Sequence, residues 1–321
     1  LATALVTGGS GFIGGHLVAA LTARGERVRI LDVCEPANAP PGVEFRHGSI
    51  LDPEAAARAM EGVEQVFHLA AHAQLWLPDP ADFDRVNREG TRIVLDAARR
   101  VGVRRFLHCS TEAVLVGAPP ARRLDESADP GIEDLAGPYC RSKWLAEREA
   151  LAAARDGLPV VVVNPTAPIG PGDRTPTPPT AMLRLFQAGG PRLILDCTLN
   201  LVDVRDVAAG MLLVAERGRV GERYLLGGTD IRLAELAARI DRLMGRPVAK
   251  RYAVPGGVAL VAARVEEWLS DHVTRRPPHA PVTGVRLALG AGGFDSGKAM
   301  RELGYRTRPL EETLADALTM R

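Results

Sequence analysis

Tyr139 and Lys143 stand four residues apart in Gly137-Pro138-Tyr139-Cys140-Arg141-Ser142-Lys143, a segment whose Pro138 suits the first position of a helix. On a helix that spacing puts both side chains on one face, about one turn apart. A phenol ionises at about 10, too high for acid/base work at neutral pH. A neighbouring ammonium favours the phenolate and brings the phenol towards the working range of a general acid/base. Such chemistry also needs a hydroxyl to hold the oxygen that exchanges the proton. Ser110-Thr111 offers two, directly after the strand-like run Arg105-Phe106-Leu107-His108-Cys109.

A second chemical feature opens the chain. The apolar run Ala4-Leu5-Val6 leads into Thr7-Gly8-Gly9-Ser10-Gly11-Phe12-Ile13-Gly14, then a helical pattern (Leu17, Val18, Leu21), then Val28-Arg29-Ile30-Leu31-Asp32. That order reads as strand, glycine-rich turn, helix, and a strand closed by an acid. Gly8 can take the tight turn, Gly11 lets backbone approach a pyrophosphate, and Gly14 lets the helix sit close to the sheet. The helix N-terminus offers free N–H groups and partial positive charge to phosphates. Asp32 can accept hydrogen bonds from both hydroxyls of an adenosine ribose, and its charge repels a 2′-phosphate, which favours NAD over NADP.

Elements that position these residues follow in alternation. Strands are expected at 43–45, 65–69, 105–109 and 160–163, and helices at 53–61, 82–100 and 139–155. Regular alternation implies an α/β fold with a Rossmann-type, doubly wound parallel sheet. The proline-rich loop 171–179 and the segments around 180–196 and 228–290 interrupt it. We therefore expect a dinucleotide-binding domain over 1–165, with 197–227 returning to it, and a smaller C-terminal substrate-binding lobe over 166–196 and 228–321. The 321 residues, 46% of them hydrophobic, suffice for a full core and a second lobe. A net charge of +1 with no basic run gives no reason to expect nucleic acid. Four scattered cysteines lack metal or redox spacing and read as reduced thiols of a cytoplasmic protein. No stretch suits a signal peptide or membrane span.

The three-residue glycine spacing with Gly-Phe-Ile-Gly, the Tyr-x-x-x-Lys pair and the Ser-Thr strand end together resemble the extended short-chain dehydrogenases/reductases (the NAD-dependent epimerase/dehydratase family). The segments 164–173, 199–208, 221–228, 294–299 and 302–305 extend the resemblance over nearly the whole chain. It is nearest to the hopanoid-associated sugar epimerase, dihydroflavonol reductase and 3β-hydroxysteroid dehydrogenase-like group. The resemblance implies that Tyr139 is the general acid/base, and that Lys143 binds the nicotinamide ribose and tunes it. Aligning Val114-Leu115 with the family's hydrophobic pair gives Thr111 the catalytic hydroxyl position, with Ser110 as fallback. Asn87 matches an Asn that supports the active-site helix. The implied cofactor contacts also take in Phe12, Ile13, Ser49, Ile50, Leu69, Ala70, Ala71, Pro165, Thr166 and Ala167. His72, Gln74, Trp76 and Glu112 are expected to line the substrate pocket. Relatives often pair through helices equivalent to 82–100 and 139–155, so a homodimer is expected.

Two departures bear on substrate. Sugar-nucleotide members carry Arg-Asp where this chain has Leu199-Asn200, so the guanidinium that grips the diphosphate is missing unless Arg174, Arg192 or Arg286 replaces it. Ser49 stands where many relatives place an Asp beside the adenine. The pocket-facing segments, rich in Leu, Trp, Phe and Pro, suggest an apolar alcohol or ketone. A sugar-nucleotide epimerase with retained NAD and a non-catalytic NAD-binding regulator are the alternatives. Gly292 to Lys298 imitates a P-loop but lacks its hydroxyl, since Ala299 follows. His68 and His72 flank a strand end, and no metal site is expected. Val258 to Leu269 reads as an apolar helix that packs on the C-terminal lobe or roofs the pocket; the alternative is contact with a membrane.

Overall fold

The computed structural model describes residues 3–118, 120 and 123–319. Its strands are β1 (Thr3–Thr7), β2 (Arg27–Asp32), β3 (Glu44–His47), β4 (Gln65–His68), β5 (Arg105–Cys109), β6 (Val160–Pro165), β7 (Ala167–Ile169), β8 (Leu193–Leu195), β9 (Thr198–Asp203), β10 (Arg223–Leu226), β11 (Thr229–Arg232) and β12 (Tyr252–Val254). Seven of them form one sheet in the order β10-β6-β5-β4-β1-β2-β3, with every pairing parallel. All six residues of β6 are buried, as an apolar run covered on both faces must be. On one face Leu17, Val18 and Leu21 of the helix Phe12–Ala23 pack with Val207, Met211 and Val214 of the helix Val204–Arg217. On the other face Ala56, Met60, Val94, Ala98, Ala150 and Ala153 close the second layer. The sheet is thus doubly wound.

The chain starts in the middle of this sheet, runs outward to β3, then crosses back to β4. The direction reverses between β1 and β4, and the crevice beyond their carboxyl ends is where such a fold takes a ligand. Two small sheets lie beyond it: β11-β9-β7, and the pair β12-β8. β9 pairs with β7 and β11 rather than with the central sheet, whereas β10 pairs with β6.

One expectation about helices needs correction. The single helix expected over 82–100 is broken into Ala81–Phe83, a π-helical stretch Asp84–Glu89 and Gly90–Val101. The wide turn contains Asn87, whose side chain is drawn out of the helix pattern to bridge other elements, and such turns recur at functional sites. The helix Gly256–Leu269 packs beside the helix Val282–Gly290 but buries only Ala263 of its own residues. Val258, Val261, Val265 and Trp268 face solvent.

Two histidines sit in the sheet, His68 on β4 and His108 on β5, with ring centroids 5.6 Å apart. His68 is held between the hydroxyls of Thr7 (2.7 Å) and Thr91 (2.9 Å). Neither ring nitrogen of His108 has a partner among the described residues. Burial, with the Lys143 charge adding to it, pushes His68 down to about 3 and His108 well below its ordinary value. Above the unfolded value of about 6.5 neither imidazole makes stability depend on pH. As pH falls below it, the unfolded chain takes up protons that the folded chain refuses, at about 1.4 kcal/mol per pH unit for each ring. His108→Leu removes one ring and two orphaned nitrogens. We expect stability at pH 7 to be unchanged or higher by up to about 3 kcal/mol, and the loss towards pH 5 to be shallower. Denaturant unfolding at both pH values checks this; a clear loss at pH 7, or no change in acid sensitivity, would contradict it.

Candidate active site

The glycine turn between β1 and the helix Phe12–Ala23 is built for close approach. Gly8 has φ +71°, and a Cβ there would stand 2.6 Å from the backbone nitrogen of Ala70. A Cβ on Gly14 would stand 2.2 Å from the Gly8 carbonyl oxygen. Neither position tolerates a side chain, so the strand, the turn and the Leu69-Ala70-Ala71 strand end pack backbone to backbone. At Gly11, the residue that opens the helix, no side chain caps the first-turn N–H groups, and no acid lies in that turn. These donors fit an anionic pyrophosphate. Phe12 and Ile13 occupy the first turn itself.

Asp32 ends β2 beside this turn. Its carboxylate accepts from the Ser10 N–H (3.0 Å) and the Cys34 N–H (3.1 Å), which fixes its orientation. Arg29, the nearest guanidinium on the strand, is taken by Glu44 (2.7 Å) and the carbonyls of Ala59 (2.8 Å) and Glu61 (2.7 Å). Ser49 accepts from the Leu51 N–H through its hydroxyl, which keeps its proton free to donate. Ile50 is buried against Gly90. The loop after β7 folds back on the opposite side: His16 bonds the Pro171 carbonyl at 2.8 Å, and the Asn38 amide oxygen, turned to meet its donor, accepts from Arg174 at 2.8 Å. Thr166 is buried and donates to Asn200 (2.8 Å), between Pro165 and Ala167 at the β6–β7 junction.

Tyr139 and Lys143 lie in the first two turns of the helix Pro138–Arg155, both buried. The Lys143 ammonium donates to the Cys109 carbonyl at 2.8 Å, which ties the helix to the end of β5. Thr111 follows that strand end. Its hydroxyl donates to the Glu112 carboxylate (2.7 Å) and accepts from the Ala113 N–H (3.2 Å). The Ser110 hydroxyl is buried with no partner among the described residues. Burial pushes the Tyr139 phenol above its ordinary value, and the Glu112 charge pushes the same way; the Thr111 hydroxyl opposes both. Lys143 is itself shifted down, by burial. Glu112 is pushed up to about 7, since the surrounding protein keeps water from it and the hydrogen bond from Thr111 only partly compensates.

The supporting contacts are long-range. Asn87 accepts from the His72 N–H (2.7 Å), and donates to the His72 carbonyl (3.1 Å) and the Ser142 hydroxyl (3.0 Å). It thereby couples the β4 loop to the Tyr139 helix. Asn164, whose role the sequence did not reveal, donates to the Thr111 carbonyl (3.1 Å) and to Glu147 (2.8 Å). Glu147 lies one turn beyond Lys143, so that spacing was the available signal. Around Tyr139 the wall is apolar: Phe83, Ala113, Leu135 and Ala136 are buried with it, and Leu75, Leu77 and Leu287 pack against them. The His72 ring meets Phe83 edge-on at 6.5 Å, and Phe83 meets Tyr139 at 6.1 Å. Gln74 is exposed. The Trp76 indole is spent on Asp271 (2.8 Å), a tie to the segment after the helix Gly256–Leu269.

Two of the three arginines considered for a diphosphate are engaged. Arg174 reaches Asn38, Arg286 donates to the Ala136 carbonyl (3.1 Å), and Arg192 is exposed on the loop before β8. Asn200 is buried and bonds Thr166, Gly228 and Asp230. The P-loop-like segment is accounted for as well: Lys298 donates to Glu222 and to the Arg223 carbonyl, both at 2.7 Å. No group of three potential metal ligands occurs among the described residues.

Glu112 provides a test of this electrostatic arrangement. Its ionised form holds the Tyr139 proton in place, so Glu112→Gln is expected to move the ionisation of Tyr139, and any rate that follows it, to lower pH. A pH profile of kcat/KM for the two proteins checks this; a shift to higher pH, or none, would contradict it.

Comparison with known proteins agrees with this construction. The family model described as the NAD dependent epimerase/dehydratase family matches residues 4–227. The chain is 33% identical to the sterol demethylase protein B of Methylococcus capsulatus, over 98% of this chain and 97% of that one. It is 36% identical to a 4-hydroxy-2-methyl-3-oxo-4-farnesyl-3,4-dihydroquinoline-1-oxide ketoreductase of Stigmatella aurantiaca, over 98% and 94%. Among solved structures, that of gox2253 superposes with a TM-score of 0.83 at 34% identity, covering 99% of this chain and 97% of the other. The family match over more than half of the chain and the likeness to these relatives over nearly its whole length show that the chain belongs to the NAD-dependent epimerase/dehydratase family, the extended short-chain dehydrogenases/reductases.

Proposed function

We propose that this enzyme is an NAD-dependent dehydrogenase or reductase that interconverts a secondary alcohol and a ketone on an apolar, lipid-like substrate. The observation that carries the reading is the wall around Tyr139, made of Phe83, Ala113, Leu135, Ala136, Leu75, Leu77 and Leu287. A nucleotide sugar needs a cation for its diphosphate, and of the arginines weighed for that role Arg174 is bonded to Asn38 and Arg286 to the Ala136 carbonyl. The printed names of the two relatives, one a sterol enzyme and one a ketoreductase for a farnesyl compound, support the same class. NAD is preferred to NADP because Asp32 faces the ribose position and Arg29 is already paired.

The glycine turn and the uncapped helix N-terminus hold the pyrophosphate, Asp32 the adenosine ribose, and Lys143 the nicotinamide ribose. When bound, the nicotinamide gives or takes the hydride. Thr111, with Ser110 as the fallback for that role, orients the substrate oxygen, and Tyr139 gives that oxygen its proton in reduction or removes it in oxidation. Lys143 and the cofactor's positive ring offset the upward push that burial gives the phenol. His72 lines the pocket beside the aromatic pair Phe83–Tyr139, and Glu112 closes its polar end. We further propose, on the family resemblance, a cytoplasmic homodimer packed through the helices over 82–100 and 139–155. Turnover of NADH with polycyclic and long-chain ketones, measured beside UDP-glucose epimerisation, tests the reading. Activity confined to the ketones supports it, and activity confined to the nucleotide sugar overturns it.

A further inference from the structure

The helix Gly256–Leu269 is turned inside out. Val258, Val261, Val265 and Trp268 recur at spacings of three, four and three, so they share one face. That face points to solvent: the four are 56% to 59% exposed, and Leu269 and Val273 extend it. The acids of the segment point the other way. Glu266 accepts from His279, from both its N–H and its ring, Glu267 accepts from the Val282 N–H (2.7 Å), and Asp271 accepts from Trp76 (2.8 Å). What remains outward around the stripe is basic. Arg264, Arg275 and Arg276 are exposed, and none forms an ion pair among the described residues. A segment that ties its carboxylates into hydrogen bonds on one side and displays valines, a tryptophan and arginines on the other has the pattern of one lying in a lipid interface.

We propose that this face docks the enzyme on the surface of an anionic lipid bilayer, with Val258, Val261, Val265, Trp268, Leu269 and Val273 dipping into the headgroup boundary. This rests on the reading of an apolar substrate given above and adds its route of delivery. Charge selects the occupant. A second copy of this chain meeting the patch across a two-fold axis would set the arginines against themselves, whereas anionic headgroups pair with them. Trp268, stacked on His272 at 5.0 Å, is amphipathic in the manner favoured at such boundaries. The patch also adjoins the catalytic wall. Asp271 holds Trp76 on the loop that carries His72. Glu267 holds the start of the helix Val282–Gly290, whose Leu287 packs in the apolar cluster with Tyr139. A substrate dissolved in the bilayer thus has an apolar edge leading to the pocket.

The test is flotation of the full chain with vesicles of phosphatidylcholine alone or mixed with phosphatidylglycerol, at low and high salt. We expect binding to the mixed vesicles that weakens with salt. The double variant Val261→Ser/Val265→Ser should bind at least about tenfold less. Both positions are exposed and outside the site, so turnover of a detergent-dispersed ketone should be unchanged. Absence of binding, or binding indifferent to the double substitution, overturns the proposal. So does a dimer, detected by light scattering, that the substitutions dissociate, since it would give the face to a second copy. Flotation needs no turnover, so vesicle binding without ketone reduction would uphold the docking face and sink the substrate reading, and the reverse outcome would do the opposite.

Discussion

Replacing Tyr139 with Phe is expected to lower kcat by about 10²–10⁴-fold, the range associated with loss of a positioned acid/base. The ring would stay where it is, because its packing against Phe83 and the buried cluster around it needs no hydroxyl. Dinucleotide binding should therefore change little, and the melting temperature should hold. Burial holds the Tyr139 phenol above its ordinary value, so in reduction it is fully protonated at neutral pH and ready to donate. In oxidation it must first be brought down by the positive groups around it. The variant's deficit should accordingly be present in both directions. Steady-state kinetics with NADH and a ketone, and with NAD and the matching alcohol, check this. Retention of more than about a tenth of the activity would remove Tyr139 from the chemistry.

Asp32→Ala should raise the efficiency with NADP relative to NAD by about 10–100-fold, corresponding to the loss of charge-assisted hydrogen bonds to the ribose. Most of this change is expected as weaker use of NAD. NADP gains from the missing repulsion, yet finds no guanidinium waiting on β2, because Arg29 is bound to Glu44 and to two carbonyls. The carboxylate also organises the turn through the N–H groups of Ser10 and Cys34, so Asp32→Asn, which keeps an acceptor and loses the charge, serves as the control. It should shift the ratio in the same direction with less loss of overall binding. Comparison of kcat/KM for both cofactors decides the matter, and an unchanged ratio would refute the role given to Asp32.

What could be read from the chain was local. The turn Gly8 to Gly14 carries its constraints in its own spacing, and the backbone distances at Gly8 and Gly14 follow from it. The four-residue interval from Tyr139 to Lys143 likewise sufficed to place both on one buried helical face. What could not be read depends on partners far along the chain. The Lys143 ammonium is tied to the end of β5 through the Cys109 carbonyl, a contact that its spacing from Tyr139 does not announce. Asn87 widens its helix into a π turn while bridging His72 and Ser142, and nothing in the apolar periodicity of 82–100 distinguishes that from a plain helix. Trp76 is placed by Asp271, nearly two hundred positions later. The helix Gly256–Leu269 shows the limit most clearly: its apolar composition left packing on the lobe and contact with a membrane both open, and only the tertiary structure shows Val258, Val261, Val265 and Trp268 turned outward.

The measurement that bears most directly on the proposed reaction is the state of the cofactor. Freshly purified protein is denatured, any released dinucleotide is identified, and the cofactor-free enzyme is titrated with NAD and NADP. Weak, exchangeable binding that favours NAD is expected of an enzyme that releases its reduced or oxidised cofactor after each turnover. Stoichiometric NAD that does not exchange would contradict it, and would identify instead an epimerase that oxidises and re-reduces one carbon on a cofactor it keeps.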